Sequence, residues 1–289
     1  MPDPRRTPSD FPFGVSQYTT GKLPLAQDLA LLRRLGIGAI EVCESKLPAN
    51  GLDRALAEIG DSGLQVVSVQ PRYHSLYPNS LRRHPAGPGA RLARLRRSIA
   101  AFGRRFPGTT LVLNTGLAPG GDLATAWREM ERHYRRLAAV AADHGVRLAL
   151  EPLHPVYMNT DTFICSFAEA AEFVRTLDHP AFGLLLDVWH CGKEAGIHEL
   201  IQRHRRLIFG VHVSDWRRPR ARGDRRLPGD GDLPLVPLLQ TLRRAGYRGA
   251  YSLEIFSDPR LRDSLWRHPE RTVARGRDAF QRLWRKACA

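Results

Sequence analysis

The feature that most restricts this chain is a succession of four apolar segments, each closing on an acid or a histidine. Leu148-Ala149-Leu150 leads to Glu151, Leu184-Leu185-Leu186 to Asp187, Val211 to His212, and Tyr251-Ser252-Leu253 to Glu254. A single acid after an apolar run can cap the next helix or face solvent. Four in succession call for a fold that gathers the ends of neighbouring buried strands, and the C-terminal mouth of a parallel barrel does this.

The rest of the chain repeats the same grammar. Short aliphatic or β-branched runs alternate with amphipathic stretches, the pattern of βα units. Strands are predicted at Phe13–Thr19, Ala39–Cys43, Gln65–Val69, Thr110–Asn114, Arg147–Glu151, Gly183–Asp187, Ile208–Val213 and Ala250–Ile255. Helical patterns lie between them, at Leu25–Leu35, Leu52–Ile59, Arg91–Phe106, Ala124–Ala142, Phe167–Leu177, Ile197–His204 and Leu235–Ala245, with a last one over Thr272–Lys286. Gly36, Gly145 and Gly246 stand where helices should end, as left-handed caps. Eight βα repeats with near-continuous apolar strands point to an α/β fold, a single (β/α)₈ TIM barrel. The 289 residues, 43% hydrophobic, suffice for one such core. Residues 1–10 read as a flexible N-terminal segment and 11–289 as the barrel domain. No Gly-x-Gly-x-x-Gly follows the first strand and no phosphate loop is present, which argues against a doubly wound nucleotide fold.

Packed carboxylates repel one another and are costly to desolvate unless a cation neutralises them. Glu151, Asp187, His212 and Glu254 therefore suggest one divalent metal ion. Three carboxylates and an imidazole suit Mn²⁺, Mg²⁺, Co²⁺ or Zn²⁺ rather than a thiolate site.

Leu150-Glu151-Pro152, Asp187-x-x-His190, His212-Val213-Ser214-Asp215-Trp216, Gly229-Asp230-Gly231-Asp232 and Leu253-Glu254 together resemble the xylose isomerase-like superfamily, in its sugar phosphate isomerase/epimerase branch. The likeness covers nearly the whole chain. It implies one metal ion held by the quartet and a small sugar, sugar phosphate or cyclitol as substrate. It also implies isomerisation or epimerisation by proton transfer through an enediolate, with Glu151 and Glu254 as the acid/base pair. Dehydration of inosose or 3-dehydroshikimate begins with the same proton abstraction and is the alternative. Which glutamate is the base stays open.

His190 is expected to contact substrate, as is Arg226, which opens Arg226-Leu227-Pro228-Gly229; Arg217 and Arg218 compete for that second role. His74, after strand three, is expected to reach the mouth as a further substrate contact, with a plain loop residue as the alternative. Trp189 is a candidate pocket wall, as are Trp216 and Tyr18. Asp215 is expected to steady a neighbouring His or Arg, and Asp230 and Asp232 to belong to a turn. The stretch from Arg217 to Asp232 reads as one long loop after strand seven.

The net charge of +15 raises nucleic acid as a partner. Lys occupies only positions 22, 46, 193 and 286, so 40 of the 44 basic residues are Arg, spread along the helices. That dispersal reads as solvated surface rather than a binding face. An endonuclease IV-like repair enzyme needs additional metal-binding histidines. Strand four instead ends in Asn114-Thr115-Gly116, and Asp230-Gly231-Asp232 stands where an Asp-x-His pair belongs. The intact quartet likewise disfavours a non-catalytic sugar-binding barrel. Barrels of this type commonly pair, so a homo-oligomer is compatible with the sequence. No membrane-spanning run or secretory leader is evident and Cys43, Cys165, Cys191 and Cys288 form no CxxC pair; a cytoplasmic protein with reduced thiols is expected.

Overall fold

The computed structural model describes residues 13–158, 160–218 and 224–289. The expected flexible segment 1–10 lies outside them, as do residues 219–223 of the long loop.

Eight parallel strands close into a barrel in sequence order: β1 (Phe13–Ser16), β2 (Ala39–Cys43), β3 (Gln65–Gln70), β4 (Thr110–Leu113), β5 (Arg147–Leu150), β6 (Phe182–Asp187), β7 (Ile208–Val213) and β8 (Tyr251–Leu253). Around it run α1 (Leu25–Arg34), α2 (Leu52–Asp61), α3 (Pro88–Arg105), α4 (Leu123–Asp143), α5 (Phe167–Leu177), α6 (Val188–Cys191), α7 (Ile197–Arg203), α8 (Leu235–Arg244) and α9 (Pro269–Cys288). The (β/α)₈ expectation is borne out. No described helix is long and apolar enough to cross a membrane. The four cysteines are free.

The three helix-ending glycines share one physical solution. Gly36, Gly145 and Gly246 all have φ between +65° and +82°. In each case the next residue's N–H reaches back five positions: Ile37 to Leu32 O, Val146 to Ala141 O, and Tyr247 to Leu242 O. This Schellman closure needs a left-handed residue at that point, and glycine adopts it without strain.

Strand alternation builds the interior. Most aliphatic residues pack between barrel and helices, but Val112, Ala149 and Leu185 form a separate buried cluster with Phe209 against it. Two residues further on, the same strand faces carry Asn114, Glu151 and Asp187. An apolar plug thus lies beneath a polar layer at the mouth.

Sequence and structure differ at strand ends. β5 and β8 stop one residue short of Glu151 and Glu254. Both residues stay tied on one side, Glu151 N–H donating to Leu113 O and Glu254 N–H to Val213 O. The pairing is lost only on the other side, where the chain turns to present the carboxylates. β1 likewise gives way to a 3₁₀ turn, Gln17–Thr20, and β4 stops before Asn114.

Candidate metal centre

Glu151, Asp187, His212 and Glu254 meet at the mouth. Their ligating atoms lie within 4.8 Å of one another and all four residues are buried. His212 Nδ1 is 3.3 Å from Glu254 Oε2, 3.5 Å from Glu151 Oε1 and 3.8 Å from Asp187 Oδ2. That nitrogen is buried without a hydrogen-bond partner. Buried polar atoms are normally satisfied, so a nitrogen aimed at three carboxylates is compatible with a cation at this point. The donor set fits a divalent ion.

The remaining oxygens are held from outside. Asp187 Oδ1 accepts the Trp189 N–H at 2.7 Å, while Asn114 Nδ2 reaches Glu151 Oε2 and Gln70 Nε2 reaches Glu254 Oε1. In the metal-free chain, burial raises the Glu151 carboxyl to about 7; Glu254 and Asp187 add to that, and His212 opposes it. Burial acts in the same direction on Asp187, but Arg225, His190 and His212 outweigh it and hold that carboxyl below its ordinary range.

Arg225 is the group that sequence reasoning missed. Its Nη1 lies 2.7 Å from Asp187 Oδ2 and 3.0 Å from Glu254 Oε2, and its Nη2 lies 3.3 Å from His190 Nε2. The guanidinium sits 5.2 Å from the Trp189 ring and 5.1 Å from that of Phe256, a cation between two aromatic faces. Arg226, the residue expected here, points away: Nη1 donates to Asp263 at 2.8 Å and Nη2 is 3.4 Å from Asp224. The cause is register. Residues 215 and 226 pair as an antiparallel bridge, so consecutive side chains in this segment take opposite sides.

The returning loop is folded on Asp215. Its carboxylate accepts the backbone N–H groups of Trp216, Gly229, Gly231 and Leu233, instead of steadying a His or Arg as expected. A Cβ on Gly231 would fall 2.3 Å from Trp216 O, so only glycine fits this approach. Asp230 meets Arg275 at the surface, and Asp232 accepts the N–H of Arg218, which is exposed.

His190 lies on α6, a single turn after β6 that is too short to show periodicity. Its Nδ1 accepts the His154 N–H at 3.0 Å. Its Nε2 faces the cluster, 3.8 Å from Asp187 Oδ2 and 3.3 Å from Arg225 Nη2. Trp189 is buried and lies edge-on to His190, with Tyr157 beside both. Trp216 is half-buried under Lys193, and Tyr18 packs on Phe256.

His74 has both ring nitrogens engaged within its own loop. Nδ1–H donates to Pro71 O at 3.0 Å, and Nε2 accepts from Asn79 Nδ2 at 3.2 Å. It is thereby placed as a loop-bracing residue rather than a substrate contact. Burial, with Arg91 and Arg82 nearby, pushes its pKa down to about 4. A histidine in an unfolded chain titrates near ~6.5, so the folded state binds fewer protons below that pH. The stability from neutral His74 is complete above about pH 6.5 and declines as pH falls towards 4, by about 1.4 kcal/mol per unit and about 3 kcal/mol in all. Urea midpoints at pH 7 and pH 4.5 should show a shallower decline for His74→Gln than for the wild type. Parallel declines would refute the assignment.

A parallel barrel with a mixed oxygen–nitrogen ligand cluster at its mouth is a recognisable class of protein. The family model for the xylose isomerase-like TIM barrel matches residues 29–283, and the chain belongs to that family, as its motifs suggested. It is similar to the 3-dehydroshikimate dehydratase of Pseudomonas aeruginosa, with 27% identity over 260 residues, 83% of this chain and 37% of that protein. An inosose isomerase of Halalkalibacterium halodurans is 31% identical over 126 residues, 42% of this chain and 43% of that one. The chain spans about a third of the length of the 3-dehydroshikimate dehydratases it matches and about half that of the inosose dehydratases. Among solved structures, protein SMc04130 from Sinorhizobium meliloti 1021 superposes with a TM-score of 0.82 at 23% identity, covering 94% of this chain and 98% of that one, a likeness in fold.

Proposed function

We propose that the chain is a divalent-metal-dependent isomerase or epimerase of a small sugar, sugar phosphate or cyclitol ketone, with Glu151 and Glu254 as the acid/base pair. The observation that carries the reading is the pair of carboxylates flanking His212 Nδ1, delivered by β5 and β8, three strands apart around the mouth. When bound, the ion (Mn²⁺, Mg²⁺, Co²⁺ or Zn²⁺) supplies Lewis-acid stabilisation of the oxyanion that forms during reaction.

The protein's own groups do the remaining work. One glutamate takes the proton from the carbon beside the substrate carbonyl, leaving its electron pair in an enediolate. The other returns a proton, to the opposite face of that carbon for epimerisation or to its neighbour for isomerisation. His190 and the Arg225 guanidinium, side by side at the cluster, would hold the substrate's oxygens. Trp189 and Tyr157 limit water beside them.

A second reading is dehydration, in which the enediolate expels a β-hydroxyl after the same abstraction. The breadth of similarity favours it: the dehydratase alignment covers 83% of the chain, against 42% for the isomerase. A panel of keto sugars, inososes and dehydroshikimate in ²H₂O with Mn²⁺ tests both. Deuterium at the carbon beside the carbonyl supports the shared step, and loss of water separates the two outcomes. Stoichiometric metal without exchange on any member would refute the proton chemistry.

A further inference from the structure

Glu41 is a buried carboxylate with no task in the proton-transfer scheme. It stands mid-strand in β2, and its register partners on the adjacent strands are Ser16 and Ser68. A carboxylate inside a barrel is costly unless strong donors or a cation meet it. Ser68 Oγ donates to Glu41 Oε2 at 2.7 Å, and His212 Nε2 lies 2.7 Å from the same oxygen. An ionised carboxylate only accepts, so Nε2 must carry its hydrogen. The other ring nitrogen, Nδ1, is the one turned to Glu151, Asp187 and Glu254 and has no hydrogen-bond partner.

We propose that Glu41 is a positioning residue that fixes the tautomer and ring orientation of His212, so that Nδ1 is the metal-ligating nitrogen. The inference rests on reading the quartet as a divalent-metal centre. Turning the ring to offer Nε2 to the cluster would break its 2.7 Å contact with Glu41, and Ser68 holds Glu41 against following the ring. Carboxylates that brace a ligating imidazole in this way contribute on the order of 10–100-fold in metal affinity.

The test uses the full chain stripped of metal, with Zn²⁺ as probe in competition with a chromophoric chelator. Glu41→Gln is expected to weaken Zn²⁺ binding by about 10–100-fold and Ser68→Ala by a smaller factor, with the apo far-ultraviolet spectra unchanged. Nitrogen-15 spectra of the Zn²⁺-loaded wild type should show His212 with a protonated Nε2, its proton shifted downfield, and a metal-bound Nδ1. That downfield shift should be lost in Glu41→Gln. If Glu41→Gln does not fold, Ser68→Ala carries the test. Both variants binding within twofold of wild type, or ligation through Nε2, would overturn this assignment alone. A wild type that binds no Zn²⁺ would overturn both it and the metal-centre reading.

Discussion

Glu151→Gln and Glu254→Gln are each expected to lower kcat by on the order of 10²–10⁴-fold, the range a positioned acid or base contributes. Glutamine keeps shape and one oxygen but neither takes up nor delivers the reacting proton. The losses should fall on kcat more than on KM, because the proton moves only in the transition state. Each change also removes a ligand charge, so turnover must be read at saturating Mn²⁺ with bound metal counted. The double variant should be far less impaired than the product of the single losses, since the two groups act as one relay. Single-turnover deuterium exchange then separates the roles: the variant lacking the base loses exchange, and the variant lacking the returning acid retains it. Retention of more than a tenth of wild-type kcat by either variant at full metal occupancy would remove that glutamate from the pair.

The quartet was legible because each member follows apolar residues at or near the end of a strand, where a barrel gathers side chains at its mouth. Glu41 was not. A lone acid in Ala39-Ile40-Glu41-Val42-Cys43 looks the same on the inner and outer faces of a strand, and only the barrel's closure sets it opposite His212. Its signal was a carboxylate mid-strand with serines at the matching positions of β1 and β3. Arg225 and Arg226 are equivalent as composition; the bridge between Asp215 and Arg226 decides which faces inward. His74 shows the converse limit. Its place after β3 was read correctly, but position says nothing of which atoms its ring nitrogens find. The eight-strand count survived because it rests on burial, whereas strand ends shifted where the chain bends to serve the site.

The second large effect concerns Arg225, and it follows from charge. In the metal-free chain four buried carboxylates, Glu41, Glu151, Asp187 and Glu254, surround His212, and burial of each is costly without a counter-charge. Burial acts against protonation of His212, but Glu254 and Glu41 outweigh it and raise its pKa, so it contributes one positive charge. Arg225 contributes the other, within 3.0 Å of both Asp187 and Glu254. Arg225→Met keeps the aliphatic packing between Trp189 and Phe256 and deletes the charge. Removing one partner of a buried ion pair costs about 3–5 kcal/mol, which for a chain of this size lowers Tm by roughly 5–8 °C. A divalent ion restores positive charge at the same carboxylates. The variant should therefore gain more Tm than wild type when EDTA is replaced by Mn²⁺, narrowing the gap between them. Thermal melts of both proteins in the two conditions decide the matter. If Arg225→Met melts within about 2 °C of wild type in EDTA, against the several degrees that a lost buried partner implies, the guanidinium does not neutralise the cluster.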